Sequence, residues 1–410
     1  MREILFLCHR IPFPPDRGDK IRSHHILKRL ARIARVHVAT FADDDFDMAE
    51  EAELATLASS YKLIRRSKPL WIAGLQALAG KKPVSLTAFH DRAMSAYVSG
   101  VLADRKISTV YVFSGQMGQY LPEDFSGRII TDFVDVDSAK FRAYAAKGGF
   151  MSWVYEREGE LLEAEEIRLA TRADISLFVA RTEAEWFLSR LTDETRGRVD
   201  VRVLPNGIDS FTFDPFVVGP ETRMFDCPAP RLIFTGQMDY APNVDAAMRV
   251  IERIMPLIRK RIPEATFHVV GRNPDHRLLD RHGEGGCFVW GRVNDIRPWL
   301  KAADLCIVPL EIARGVQNKV LEAMSMALPV VLTHEAAAGI DAVDGRQFRI
   351  ADSDEGLAAA ACDLLTDVRR AGVLGEAARR YVADNASWQL ALDSLPDLIG
   401  LRGRAALDAA

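Results

Sequence analysis

Alternation is the feature that most limits what this chain can fold into. Short apolar, β-branched runs recur along its 410 residues, each followed by a longer stretch with helical spacing. Such alternation builds βαβ units with parallel, buried strands, so the expected fold class is α/β. Candidate strands fall at 4–8, 36–41, 109–113, 128–132, 175–180 and 201–204 in the first half. In the second they fall at 231–235, 266–270, 287–290, 305–309, 329–332 and 347–350. A chain of this length exceeds one ordinary core and points to two domains. The break is expected after Pro205, because Val203-Leu204-Pro205-Asn206-Gly207-Ile208-Asp209 ends a strand in turn chemistry and the stretch to Pro230 has no periodicity. The expected division is 1–205, 206–385 and a C-terminal segment 386–410. That segment reads as an amphipathic helix over 388–401, able to pack back on the first domain.

Composition removes several alternatives. With 48% apolar residues, 27% charged residues and a formal charge of -4, the chain is neither disordered nor a nucleic-acid binder. Cys8, Cys227, Cys287, Cys306 and Cys362 are scattered and mostly sit in apolar runs, as buried thiols of a reducing compartment do. The first residues lack a signal-peptide pattern and no run is long enough to span a bilayer. A cytoplasmic location is expected.

The chemistry concentrates after the strand ending near Pro309. There a loop carrying Arg314 and Gly315 leads into a helix bearing Asn318, Lys319 and Glu322. A helix start at the carboxyl edge of a parallel sheet favours phosphate through its free N–H groups and its dipole. Lys319 adds a full charge in that first turn. Glu322 lies on the same helical face, where a carboxylate can accept hydrogen bonds from ribose hydroxyls. A solvated Lys–Glu helix pair is the plain alternative.

Gly315 through Val331, with Lys319, Glu322, Ala323 and Met324 in register, resembles the nucleotide-binding signature of family-four retaining glycosyltransferases of the GT-B fold, two Rossmann-like domains facing across a cleft. Pro205-Asn206-Gly207-Ile208-Asp209, Phe234-Thr235-Gly236, Val269-Val270-Gly271, Trp290-Gly291-Arg292-Val293-Asn294-Asp295, Ala303-Asp304 and Ser387-Trp388 follow in the family's order. The resemblance implies a donor-nucleotide site from Gly236, Gly271, Arg272, Arg292, Val293, Gly315, Asn318, Lys319 and Glu322. In the first half, His9 to Ser23, Tyr111 to Met117 and Asp135 to Lys140 are similar to sugar transferases of bacterial exopolysaccharide and exosortase (PEP-CTERM) systems.

The chain also departs from the family. Arg314 stands where a second glutamate is usual. A guanidinium cannot accept from a sugar hydroxyl, so Arg314 is expected at the donor sugar's carboxylate, at the diphosphate, or in solvent. Gln237 and Pro242 replace the usual basic pair, leaving phosphate charge to Lys319, Arg272, Arg292 and Arg17. In the first half Arg17, Gly18 and Lys20 form a candidate acceptor and phosphate loop, with Gly18 allowing close backbone approach and Arg22 beside them. Asp135 and Asp137 are candidates for orienting an acceptor hydroxyl, for ligating a divalent ion, or for starting the next helix.

The resemblance thus implies an enzyme moving a sugar from a nucleotide-diphosphate donor to a glycan or lipid-linked acceptor, with retention. Lys319 stabilises the departing diphosphate, and no metal or other cofactor is required. A nucleotide-sugar epimerase and a non-catalytic nucleotide- or sugar-binding subunit are the alternatives. Arg65 to Lys82, apolar between basic ends, reads either as a contact for an anionic membrane or as a partly buried helix.

Overall fold

The buried apolar runs do become parallel strands. The computed structural model describes residues 2–146, 148–149, 151–313 and 316–401, and the chain falls into two units. One contains the residues up to Pro205 together with those from Leu392 onward, and the other is Asn206–Ala391.

The first unit holds β1 (Glu3–Cys8), β2 (Arg35–Ala42), β3 (Ser60–Arg65), β4 (Ile107–Phe113), β5 (Arg128–Val134), β6 (Ile175–Phe178) and β7 (Val201–Val203). They pair in parallel in the order β3-β2-β1-β4-β5-β6-β7, so the order reverses beside β1. Strand β3 was not expected. Its sequence, Ser-Tyr-Lys-Leu-Ile-Arg, is only half-buried at the sheet edge, so neither a continuous apolar run nor clean alternation marks it. Leu5, Leu7, Val110, Val112 and Met94 pack on one face, and Phe133, Phe178 and Phe187 form a second cluster. Burying each such side chain contributes about 1.5–3 kcal/mol.

Five helices of this unit matter below: α1 (Gly18–Ala31), α2 (Leu70–Gly80), α3 (Val84–Ala88), α4 (Asp137–Ala146) and α5 (Ser152–Arg172). The carboxylates of α5 serve other helices. Glu158 accepts from the backbone N–H groups of Val84 and Ser85 at the start of α3. Glu166 accepts from the Ser138 N–H and hydroxyl at the start of α4. Each satisfies donors that a helix start leaves open.

The second unit holds β8 (Arg231–Thr235), β9 (Thr266–Val270), β10 (Cys287–Gly291), β11 (Leu305–Val308), β12 (Val330–Leu332) and β13 (Arg349–Ile350). Their parallel order is β10-β9-β8-β11-β12-β13, again reversing once, between β8 and β11. Ligands of open α/β sheets collect at such reversals, outside the carboxyl ends of the strands. The helices α6 (Ala241–Arg249) and α7 (Asn318–Ser325) follow β8 and β11 there.

The expected single helix over 388–401 is instead two short ones, α8 (Trp388–Ala391) and α9 (Leu395–Leu398), joined by a turn. Pro396 has no N–H and fits the first turn of α9, not the middle of a longer helix. From Leu392 the chain belongs to the first unit, where Arg2 donates to the Gly400 carbonyl at 2.6 Å and Arg128 to the Leu398 carbonyl at 2.5 Å. All five cysteines are buried and free.

Candidate functional site

In the second unit, Gly236 follows β8 and Gly271 follows β9. A Cβ on Gly271 would lie 1.7 Å from the Gly236 carbonyl oxygen, so only glycine lets these two turns close on each other. A Cβ on Gly236 would come within 3.1 Å of the Lys319 ammonium and 2.9 Å of the Asn243 amide. The backbone is thus bared beside a cation.

Lys319 reaches this spot from the first turn of α7. Its Nζ donates to the Asn243 Oδ1 at 2.6 Å and lies 4.4 Å from the centre of the Phe234 ring. Asn243, buried in the first turn of α6, is held in turn by donating to the Gln237 carbonyl at 2.9 Å. Its amide therefore presents oxygen to the lysine. Burial pushes Lys319 down to about 8 and, one turn along the helix, pushes Glu322 up to about 7. The plain alternative of a solvated pair does not hold, since both side chains are only partly exposed.

The remaining residues of the expected nucleotide site are arranged around these. Arg272 donates to the Gln237 side chain at 3.3 Å, so the glutamine that stands where a base is usual supports an arginine from the next turn. Arg292 is exposed after β10, and Val293 packs partly buried against the core. Asn318 opens α7, and its buried Oδ1 has no hydrogen-bond partner among the described residues. Arg314 and Gly315 lie outside the described residues.

The first unit gathers a second polar group at the carboxyl ends of β4 and β5. Ser114 and Val134 adopt φ values of 73° and 69°, in the left-handed region. For β-branched Val134 this conformation is strained, and strain of this kind collects where a loop must be held in one shape. The holding group is Asp132. It is fully buried, pairs with Arg22 at 3.0 Å, and accepts from the Tyr111 hydroxyl at 2.8 Å and the Val134 N–H at 3.2 Å. Its backbone carbonyl accepts from the Ser114 N–H at 2.8 Å.

Beyond Val134, Asp135 reaches solvent yet is ringed by protein. That crowding, then the Glu183 and Asp137 charges, push it up to about 6. Asp137 begins α4 and accepts from the Gln116 amide at 3.1 Å. Among the described residues no three His, Cys, Asp or Glu side chains converge as a metal site. His9, at the end of β1, is buried against Phe113 and Phe89 with its Nε2 3.2 Å from Asp19.

The basic loop is placed differently from the expectation. Lys20 is buried, donating to the Phe13 carbonyl at 3.1 Å and pairing closely with Asp47. Arg22 is fully buried, its charge matched by Asp132. Arg17 forks onto Asp19 at 2.6 and 2.8 Å. Each of these three cations therefore has a carboxylate partner within the unit. Gly18 begins α1, and a Cβ there would meet no described protein atom within 4 Å. Sequence reasoning missed Asn243, Gln116 and Asp132, whose partners are distant in the chain. Asn243 alone left a signal, as an asparagine in a helix's first turn just after a strand and glycine.

With the geometry in place, comparisons give it a context. Residues 229–367 match the family described as Glycosyl transferases group 1. A GDP-mannose-dependent alpha-(1-6)-phosphatidylinositol monomannoside mannosyltransferase of Mycolicibacterium smegmatis is 26% identical over 261 residues. That match covers 58% of this chain and 65% of the relative, so the chain spans just under two thirds of its length. Among solved structures, Anabaena Alr3699/HepE in complex with UDP and glucose aligns with a TM-score of 0.68 at 15% identity, over 97% of this chain and 99% of that one. Sucrose-phosphate synthase from Thermosynechococcus elongatus aligns at 0.67 and 16%, over 100% of both chains. WaaG, a glycosyltransferase involved in lipopolysaccharide biosynthesis, aligns at 0.67 and 18%, over 97% and 100%. The fold is GT-B, and residues 229–367 of its second unit are similar to the group 1 glycosyl transferases.

Proposed function

We propose that the protein is a glycosyltransferase that takes a sugar from a nucleoside-diphosphate donor and passes it, with retention, to a glycan or lipid-linked acceptor in bacterial exopolysaccharide or surface-glycan synthesis. One observation carries this reading: the Lys319 ammonium is held by Asn243 beside two turns that only glycine can close, one helical turn from Glu322. That arrangement suits a diphosphate at the cation and a ribose at the carboxylate. The mannosyltransferase and UDP-bound likenesses support a nucleotide-sugar donor.

In the reaction, the bond from the anomeric carbon to the diphosphate oxygen breaks and the acceptor oxygen bonds to that carbon. The acceptor's proton passes to the departing diphosphate, whose charge Lys319, Arg272 and the start of α7 stabilise. Asp135 is the residue proposed to orient the acceptor hydroxyl. No divalent ion is invoked, so transfer is expected to survive a chelator. The protein works in the cytoplasm, at the inner face of a membrane.

Melting shifts with UDP- and GDP-sugars identify the donor, and product formation with candidate acceptors then reads transfer. Lys319→Ala and Glu322→Ala are each expected to cut transfer by about 100-fold or more with the fold intact. Full activity in both variants would overturn the site assignment. Conversion of donor without acceptor would instead identify an epimerase. Donor binding that never leads to diphosphate release would identify a non-catalytic subunit.

A further inference from the structure

We propose that α2 is an interfacial anchor that lays the first unit on an anionic lipid bilayer. The helix is amphipathic in the inverse sense to an ordinary packed helix. Its small residues Ala73 and Ala77 are fully buried, while Leu70, Trp71, Leu75 and Leu78 are 69%, 68%, 60% and 54% exposed. A helix that needed only to complete the core would turn these large side chains inward and gain their burial. Facing water, they make a contiguous apolar patch of the kind that marks an interaction surface.

The patch is fixed to the unit. The Thr87 hydroxyl donates to the Ala73 carbonyl at 2.9 Å and Arg157 to the Ala77 carbonyl at 3.0 Å. Lys68, just before the helix, donates to the Thr87 and His90 carbonyls at 2.8 and 2.7 Å. The outer face is thus presented by a clamped element, not by a frayed loop.

Charge selects the occupant. From residue 65 to residue 90 there is no Asp or Glu, while Arg65, Arg66, Lys68, Lys81 and Lys82 all fall there. Arg65 and Arg66 are matched by Asp45 and Asp43. Lys81 and Lys82, at the helix end, are exposed and have no ion-pair partner among the described residues. Apolar side chains that enter the acyl boundary, with lysines at headgroup level, match a membrane bearing negative lipids. At 11 residues the helix lies in the interface, and no described helix is long and apolar enough to cross.

The test is co-sedimentation of the full chain with phosphatidylcholine vesicles, alone or with about one third phosphatidylglycerol, at low and high salt. Binding is expected only to the anionic vesicles and is expected to weaken at high salt. Lys81→Glu/Lys82→Glu should weaken it at least about tenfold. Trp71→Ser/Leu75→Ser should do the same while leaving the melting temperature within a degree or two of wild type, since both side chains already face water. Equal pelleting of wild type and both double variants would overturn the proposal. So would a concentration-dependent dimer that Trp71→Ser/Leu75→Ser abolishes without vesicle binding in the wild type, because a second copy would then cover the patch.

Discussion

Lys319 and Glu322 sit one helical turn apart and are displaced in opposite directions by the same cause. Burial disfavours whichever form is charged, so the lysine loses its proton too early, at about 8, and the carboxyl keeps its proton too long, to about 7. A diphosphate needs the ammonium and a ribose is best held by the carboxylate. Both are charged together only between those two values. Affinity of the free protein for UDP or GDP is therefore expected to rise as pH passes 7 and to fall above 8, and isothermal titration across pH 5.5–9.5 reads both limbs. Glu322→Gln should remove this residue's acidic limb and, by taking away a charge that raises Lys319, move the alkaline limb to lower pH. A profile flat across this range would refute the assignment of these two residues to the nucleotide.

At the scale of elements, α5 shows how a buried carboxylate can both organise and burden a fold. Glu166 supports the start of α4, and burial pushes it up to about 8 from an ordinary 4.5. The native state then keeps a proton that the denatured chain releases, so this group's contribution to stability declines as pH rises from about 4.5 to about 8. In urea melts, Glu166→Gln is expected to lose about 3–4 kcal/mol less stability than wild type between pH 5 and pH 8. Parallel slopes would show that the carboxyl is ionised in the fold. Elements also set what the sequence could reveal. The central strands were legible because burial on both faces makes them apolar runs, as in Leu5-Phe6-Leu7-Cys8. Edge strand β3, with Lys62 and Arg65, carries no such mark. The nucleotide end was legible because Lys319 and Glu322 share one turn of one helix. Asn243, 76 residues from Lys319, and Asp132, 110 from Arg22, were not, since a hydrogen bond formed by tertiary packing leaves no spacing to read. The same reason hid Asp47, the partner of Lys20.

For the whole molecule, the decisive fact is that one unit is continuous in sequence and the other is not. Residues from Leu392 return to the first unit, where Leu395, Leu398 and Ile399 are buried and the carbonyls of Leu398 to Gly400 receive Arg2 and Arg128. Ending the chain after Ala391 should strip apolar cover worth several kcal/mol from that unit, at about 1.5–3 kcal/mol per large side chain. In scanning calorimetry the transition of the first unit is expected to move down while that of the second stays in place. A trace unchanged by the truncation would show that the segment adds nothing to the first unit.

That return has a consequence in time. A ribosome releases a chain from its N-terminus, and units tend to fold as they emerge. Here residues 1–205 leave the tunnel first, but Leu392 to Gly400 follow only after the whole second unit has been made. During synthesis the first unit must wait, its Arg2 and Arg128 without their carbonyls, while the later unit can already close. Of the two units, the one whose larger part is made first is therefore the one completed last.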